Sequence, residues 1–175
     1  VLPHLLTARA ASKRIRIWCA ACSTGQEPYS LAMMFKQAKE QFAGWHIDIL
    51  ATDISTEVLE EAKSGLYTQF EVQRGLPIQL LLKYFKQDGD QWRLTQELRD
   101  MVHFRKHNLL DDFSSLGMFD AIFCRNESLQ NEKTLDESKV FGKVSGWRDS
   151  NSRPFAPQAN ALPGCATSRS GELQD

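Results

Sequence analysis

The segment from Arg16 to Phe35, RIWCAACSTGQEPYSLAMMF, constrains the fold more than any other part of the chain. Its apolar start predicts a buried strand over residues 14–20, and the small residues that follow predict a tight turn. The spacing of the next apolar side chains predicts an amphipathic helix over residues 26–42. A strand, a tight turn and a helix in this order are typical of the ligand-binding edge of an open α/β sheet.

The chain after this helix repeats the alternation. The segment WHIDILATDIS predicts a second strand over residues 47–52 that ends at Asp53. Ser55 is a suitable N-cap for the helix that follows, and Gly65 is a suitable terminator. Alternation of this kind predicts a parallel sheet with right-handed crossovers.

The pattern then changes. LPIQLLLKYF predicts a short helix from Pro77, and Asp88-Gly89 lies between two strand-like runs, which indicates a β-hairpin. Two more buried strands are predicted over residues 101–105 and 121–124. We therefore expect an incomplete, doubly wound, Rossmann-like α/β sheet of four parallel strands with a small antiparallel hairpin insert.

These elements divide the chain into two parts. Residues 1–126 form one domain, with the insert at about residues 66–100, and the fourth strand is expected to leave an unpaired edge. Residues 127–175 contain few apolar side chains and several Pro and Ser residues, so we expect a tail that is mostly disordered. The sequence begins in mid-pattern at Val1, as a segment of a longer protein would.

Composition bears on the class of partner. The 175 residues carry a net charge of -1 and are 42% hydrophobic, which is ordinary for a globular domain. This charge does not favour nucleic acid or a membrane surface. The apolar runs are far shorter than the roughly 18 to 20 residues that a membrane span requires. We expect no nucleic-acid partner and no membrane insertion.

Cys19 and Cys22 have the C-x-x-C spacing of zinc and redox sites. Zinc usually takes about four ligands, and the sequence has neither a second C-x-x-C nor an H-x3-H pair to complete such a site. We interpret both residues as small apolar side chains packed near the turn. We therefore expect no metal, and reduced thiols are typical of a cytoplasmic protein.

The residues of the turn discriminate among three classes of ligand. A mononucleotide phosphate favours G-x-x-x-x-G-K-[ST] and a dinucleotide favours G-x-G-x-x-G, and the sequence has neither motif. The tight positions are Ala21, Ser23 and Gly25, and the acidic Glu27 follows them. A carboxylate there opposes a pyrophosphate but suits S-adenosyl-L-methionine, which carries a sulfonium and an ammonium group and no phosphate. A-x-S-x-G is also similar to the G-x-G-x-G of class I methyltransferases.

Further candidates follow the other predicted strands, whose carboxyl ends bind ligands in open α/β sheets. Asp53 accepts hydrogen bonds from ribose hydroxyls, caps the next helix, or does both. Asn108 either contacts adenine or caps a loop. Arg125 and Asn126 follow the fourth strand, where Arg125 is either a solvated charge or a partner for an acidic substrate.

Five segments in this order resemble one family. AACSTGQEPYSLAM, ATDISTEVLEEAKSGLY, LLKYF, LRDMVHFRKHNLL and FDAIFCRN are similar to the C-terminal domain of CheR-type chemotaxis receptor methyltransferases, over about residues 1–126. The resemblance implies a class I S-adenosyl-L-methionine-dependent fold, and a protein-glutamate O-methyltransferase that forms γ-glutamyl methyl esters on methyl-accepting chemotaxis receptors. It implies that the insert docks a receptor tail peptide in some members. It also implies cofactor contacts at Glu27, Asp53, Asn108, Leu109, Arg125 and Asn126.

No catalytic side chain is assigned. A glutamate substrate with a pKa of about 4.3 is already anionic at neutral pH, so methyl transfer requires no general base. Positioning and desolvation supply the acceleration. We expect His46, His103 and His107 to have surface or packing roles.

The sequence departs from the family pattern in two places. It lacks the family's N-terminal helical domain, and the strands that follow C-R-N in the family are not found after Asn126. Three interpretations stay open: an active methyltransferase fragment, an inactive protein that still binds cofactor or receptor, and an NAD(P)-dependent oxidoreductase. The missing G-x-G-x-x-G disfavours the third. We expect cofactor binding with poor or no methyl transfer.

Overall fold

A computed structural model of the protein describes residues 2–124 and 143–145. The strands within these residues form a parallel sheet and a smaller antiparallel sheet. In chain order they are β1 Arg14–Ala20, β2 His46–Asp53, β3 Leu66–Thr68, β4 Phe85–Asp88, β5 Gln91–Leu94, β6 Val102–Lys106, β7 Ala121–Cys124 and β8 Lys143–Ser145.

The first helix precedes the first strand, and the other helices lie between strands; the second helix is in the crossover from β1 to β2, as expected for parallel neighbours. A short 3-10 helix at Ser114–Leu116 precedes β7. None of the helices in the described part of the chain is long and apolar enough to cross a membrane. In chain order the α-helices are α1 Leu2–Ala8, α2 Gln26–Gln37, α3 Thr56–Ser64, α4 Gln69–Gln73, α5 Ile78–Tyr84 and α6 Gln96–Arg99.

The parallel sheet has the strand order β6-β2-β1-β7-β8. The chain therefore winds outward from β1 in one direction through β2 and β6, and then in the other direction through β7. Ile17 at the centre of β1 pairs with Ile49 of β2 on one side and with Ala121 of β7 on the other. This doubly wound order confirms the predicted fold class, and the reversal of winding beside β1 is where open α/β sheets bind their ligands.

Several sequence-based expectations need correction. The sheet has a fifth strand, because β8 pairs in parallel with β7, so the prediction that β7 is an open edge was wrong. The insert contains a three-stranded sheet, β3-β5-β4, rather than a hairpin alone. Helix α2 ends at Gln37, earlier than predicted, and α1 was not predicted at all. The predicted boundary at Asn126 and the tail, apart from β8, lie outside the described residues.

Apolar side chains cover both faces of the sheet. Successive residues of a strand point to opposite faces. Ile15, Ile17 and Cys19 therefore join the larger cluster with α2, α3 and the insert, whereas Trp18 and Ala20 join a smaller cluster. That smaller cluster is completed by Leu116, Phe119 and Ile122. Burial of both faces leaves the carboxyl ends of the strands as the edge where polar side chains gather.

Candidate functional site

The turn between β1 and α2 has an alternating backbone. Ala21, Ser23 and Gly25 have φ values of 53°, 51° and 89°, all in the left-handed region. These are the three positions that the sequence pattern picked out as tight. A left-handed conformation costs a residue with a Cβ atom about 1–2 kcal/mol, so contacts from the rest of the fold must hold Ala21 and Ser23 in place.

The N–H groups of this turn are engaged within the protein. Cys22 N–H donates to the carbonyl oxygen of Thr52 at 2.9 Å, and Gly25 N–H donates to the carbonyl oxygen of Cys22 at 3.1 Å. Ser23 N–H donates to Oδ2 of Asp53 at 2.9 Å. A pyrophosphate site uses free backbone N–H groups at this turn, and here three of them are already committed. The turn is therefore unsuited to a dinucleotide phosphate.

Asp53 joins three segments at the carboxyl edge of the sheet. Its Oδ2 accepts from Ser23, its Oδ1 accepts from Ser55 N–H at 3.0 Å, and its carbonyl oxygen accepts from His107 N–H at 3.0 Å. The residue that caps α3 is Ser55, whose hydroxyl accepts from Val58 N–H. The interpretation of Asp53 as the helix cap was therefore wrong, and its ribose contact stays a prediction.

The backbone hydrogen bond from His107 N–H to the carbonyl oxygen of Asp53 places the residues that follow β6 beside Asp53. Asn108 Oδ1 accepts from Leu110 N–H at 3.1 Å, so this side chain caps its own loop, which was one of its two interpretations. Leu109 is half-buried and packs against the smaller apolar cluster around Trp18. The adenine contact of Asn108 and the cofactor contact of Leu109 stay predictions. Arg125 and Asn126 lie outside the described residues.

The electrostatics of the turn are acidic. Burial raises the pKa of the Cys22 thiol to about 12, and repulsion from the Asp53 and Glu27 carboxylates adds to the effect. Burial, with repulsion from Glu27, likewise raises the pKa of Cys19 well above its ordinary value. Asp53 contacts the turn directly through Ser23 N–H, and Glu27 lies in the first turn of α2, which follows it. Such a site suits a cationic ligand without phosphate.

The burial of Cys19 and Cys22 also bears on whether the C-x-x-C pair is a zinc or redox site. Reactive and redox cysteines lie in partly exposed, electropositive surroundings, whereas Cys19 and Cys22 are buried. Within residues 2–124 no group of His, Cys, Asp and Glu side chains could hold a metal ion. The packing interpretation of Cys19 and Cys22 agrees with their burial.

Sequence reasoning missed residues that hold this site together. The Tyr67 hydroxyl donates to the carbonyl oxygen of Thr24 in the turn at 2.9 Å. The buried Trp18 Nε1 donates to Oγ1 of Thr52 at 2.9 Å, next to the acceptor of Cys22. His107 packs its ring against Trp18 and Phe113, and its Nε2 is buried without a hydrogen-bond partner among the described residues. No spacing or motif signals these contacts, and all of them except that between His107 and Phe113 join distant parts of the chain.

A cavity of about 330 Å³ lies elsewhere, against the side of the sheet at β6. It is lined by Tyr29, Lys63, Arg99, His103 and neighbouring residues of α6 and β6. None of the cofactor-contact residues proposed from the sequence lines it. We place the candidate site at the turn instead, because ligands of open α/β sheets bind at the carboxyl ends of the strands.

Two comparisons of the sequence with known proteins found matches. The family model of the CheR methyltransferase SAM-binding domain matches residues 1–129. Chemotaxis protein methyltransferase 1 of Pseudomonas aeruginosa is 44% identical over 130 residues, which are 72% of this chain and 47% of that protein. The chemotaxis protein methyltransferase of Borreliella burgdorferi is 41% identical over 140 residues, which are 77% of this chain and 49% of that protein. The chain spans about half the length of these relatives.

Proposed function

Because this chain belongs to the CheR methyltransferase SAM-binding domain family, we propose that it binds S-adenosyl-L-methionine at the carboxyl ends of β1, β2 and β6. The observation that carries the proposal is the chemistry of the turn. Its N–H groups at Cys22, Ser23 and Gly25 are engaged within the protein, whereas the Asp53 and Glu27 carboxylates lie close to it. Hydrogen-bond acceptors suit ribose hydroxyls, and negative charge suits a cationic ligand rather than a phosphate.

The proposal assigns roles to particular parts of the chain. Asp53 receives the ribose hydroxyls on its remaining lone pairs, and Glu27 faces the positive end of the ligand. The loop after β6 borders the adenine. We assign residues 1–126 to the cofactor domain, with the insert at about residues 66–100. The proposed contact residues are Ala21, Ser23, Gly25, Glu27, Asp53, Asn108, Leu109, Arg125 and Asn126.

We further propose that the reaction served by this site is the formation of γ-glutamyl methyl esters on chemotaxis receptors in the cytoplasm, without a nucleic-acid partner. The bound cofactor supplies an electrophilic methyl group. A glutamate side chain with a pKa of about 4.3 is anionic at neutral pH, so this chain need not provide a base. What its residues contribute is orientation and the exclusion of water.

Exposed apolar side chains on the insert support a protein partner. Ile78 and Leu82 are 57% and 69% exposed, and they lie four residues apart on α5, so they share one face of that helix. Phe70 of α4 is 67% exposed. Exposed apolar surface of this kind is typical of interaction sites when it is contiguous.

Calorimetric titration tests the cofactor proposal. We expect the chain to bind S-adenosylhomocysteine and not NADH. Asp53→Ala should weaken binding about 10- to 150-fold, the range expected for hydrogen bonds to a charged group, and Asp53→Asn should weaken it less. Asp48→Ala is the matched control, because Asp48 lies in the same strand and pairs with Arg16 at 2.8 Å, away from the turn. Equal affinity in all variants would contradict the assignment.

A second titration distinguishes two roles of Asp53: a contact with the ribose, and the hydrogen bond that it accepts from Ser23 N–H. If Asp53 contacts ribose hydroxyls, Asp53→Ala should cost less affinity for the 2′-deoxy analogue of S-adenosylhomocysteine than for the parent ligand. If Asp53 acts only by holding the turn, both ligands should lose the same affinity.

Tritium transfer to receptor-containing membranes tests the activity. Because residues 1–175 span about half the length of the relatives, we expect slower transfer than by a full-length relative. Ligand binding without any transfer would support the interpretation as a cofactor-binding protein without turnover, and rates equal to a full-length relative would contradict our expectation.

A further inference from the structure

Tyr67 connects the insert to the turn at the carboxyl end of β1. It lies in β3, its side chain is 2% exposed, and its hydroxyl donates to the carbonyl oxygen of Thr24 at 2.9 Å. Thr24 lies between Ser23 and Gly25, two of the residues with positive φ. The hydrogen bond therefore fixes the peptide group at the most constrained part of the turn.

The position of the Tyr67 side chain is set by the insert and by the core together. In the small sheet Tyr67 pairs with Trp92 of β5. Its ring makes edge contacts with Phe85 of β4 and with Tyr29 of α2, at centroid distances of 6.1 and 6.5 Å. Burial raises the pKa of its hydroxyl well above the ordinary value, so the group remains a donor throughout the neutral range.

We propose that Tyr67 is a positioning residue for cofactor binding, through which the three-stranded insert sets the conformation of the turn. The inference rests on the proposed function, since it concerns the same ligand site. Asp53 holds the turn from the main sheet through Ser23, and Tyr67 holds it from the insert through Thr24. A change in the insert then alters cofactor affinity, and cofactor binding alters the insert to the same extent, because coupling between two sites is reciprocal.

The chain offers a matched control for a purely structural role. Tyr29 is also fully buried, and its hydroxyl also donates to a backbone carbonyl, that of Ala62 in α3, at 2.8 Å. Tyr29→Phe removes the same chemical group from the same aromatic cluster without removing a contact to Thr24. Tyr67→Phe and Tyr29→Phe should therefore cost similar conformational stability but differ in their effect on the turn.

The first measurement is the affinity for S-adenosylhomocysteine by calorimetric titration, with urea unfolding of each variant in parallel. We expect Tyr67→Phe to weaken binding about three- to tenfold, as expected for the loss of one hydrogen bond that holds the site, and Tyr29→Phe to leave it within error of the unaltered chain. Equal affinities in the two variants, whether both reduced or both unchanged, would overturn the inference.

The second measurement needs no ligand. The amide resonance of Gly25 reports on the Thr24 carbonyl, because both belong to one peptide group. We expect it to shift further in Tyr67→Phe than in Tyr29→Phe, whose ring also lies beside Gly25, and equal shifts in the two variants would overturn the inference. If the unaltered chain fails to bind S-adenosylhomocysteine while the resonance shifts as expected, the proposed function fails and the link from Tyr67 to the turn stands.

Discussion

Replacing Gly25 with alanine tests how tightly the fold encloses the turn. Gly25 has a φ of +89°, and an added Cβ atom would lie 3.0 Å from Cβ of Ala62 and 3.3 Å from ring atoms of Phe104 and Tyr29. The neighbours belong to α3, β6 and α2, which pack against one another. A methyl group at Gly25 therefore meets both backbone strain and crowding.

Gly44 supplies the comparison that separates these two costs. Its φ is +76°, and an added Cβ atom would meet nothing within 4 Å. Gly44→Ala should therefore cost strain alone, about 1–2 kcal/mol. Gly25→Ala should add the cost of overpacking, about 1–3 kcal/mol, which gives about 2–5 kcal/mol in all.

Urea unfolding followed by tryptophan fluorescence measures both variants against the unaltered chain. We expect the free energy of unfolding to fall for both and to fall further for Gly25→Ala. Equal losses would refute the reasoning, because they would mean that the neighbours of Gly25 move aside at no cost and that the turn is not closely packed.

Two further predictions concern the same turn. Ala21→Gly should raise the free energy of unfolding by about 0.5–1 kcal/mol, because the relief of left-handed strain exceeds the entropy that glycine gains on unfolding. The control is Ala43→Gly at an exposed position, which should lower the free energy of unfolding. A lower free energy of unfolding in both variants would contradict the prediction. The pKa of Cys22, raised to about 12, means that the unfolded thiol ionises first as pH rises above about 9. The free energy of unfolding should therefore fall from about pH 9 upward. In Cys22→Ala it should fall less steeply, by up to about 1.4 kcal/mol per pH unit. Urea unfolding of the two proteins between pH 8 and 10.5 measures this difference, and parallel profiles would contradict the expectation.

The sequence predicted what depends on neighbouring residues. The bounds of β1 and β7 follow from short apolar runs that end at small or polar residues, and the structure has them at Arg14–Ala20 and Ala121–Cys124. The three positions of positive φ between β1 and α2 coincide with the smallest residues of the turn. A backbone with positive φ tolerates small side chains best, so the positions of the small residues indicate where the turn adopts positive φ.

What depends on distant residues could not be predicted. Strand β3, Leu66–Thr68, is too short for any periodicity and exists because it pairs with β5. The end of α2 was placed too late because apolar spacing continues to Phe42, whereas Ala38 already leaves helical geometry. The hydrogen bond from Tyr67 to Thr24 spans 43 positions of the chain, and its donor residue looks like an ordinary strand tyrosine.

The contacts around the turn also bear on how a ligand would bind there. Ala21 and Ser23 adopt left-handed conformations that cost about 1–2 kcal/mol each, and contacts within the protein offset this cost. Thr52 and Asp53 accept the N–H groups of Cys22 and Ser23 from the main sheet, and Tyr67 donates to Thr24 from the insert. Because folding offsets the strain, the turn is preorganised for a ligand at this edge. Binding therefore does not lose free energy to reorganisation of the turn.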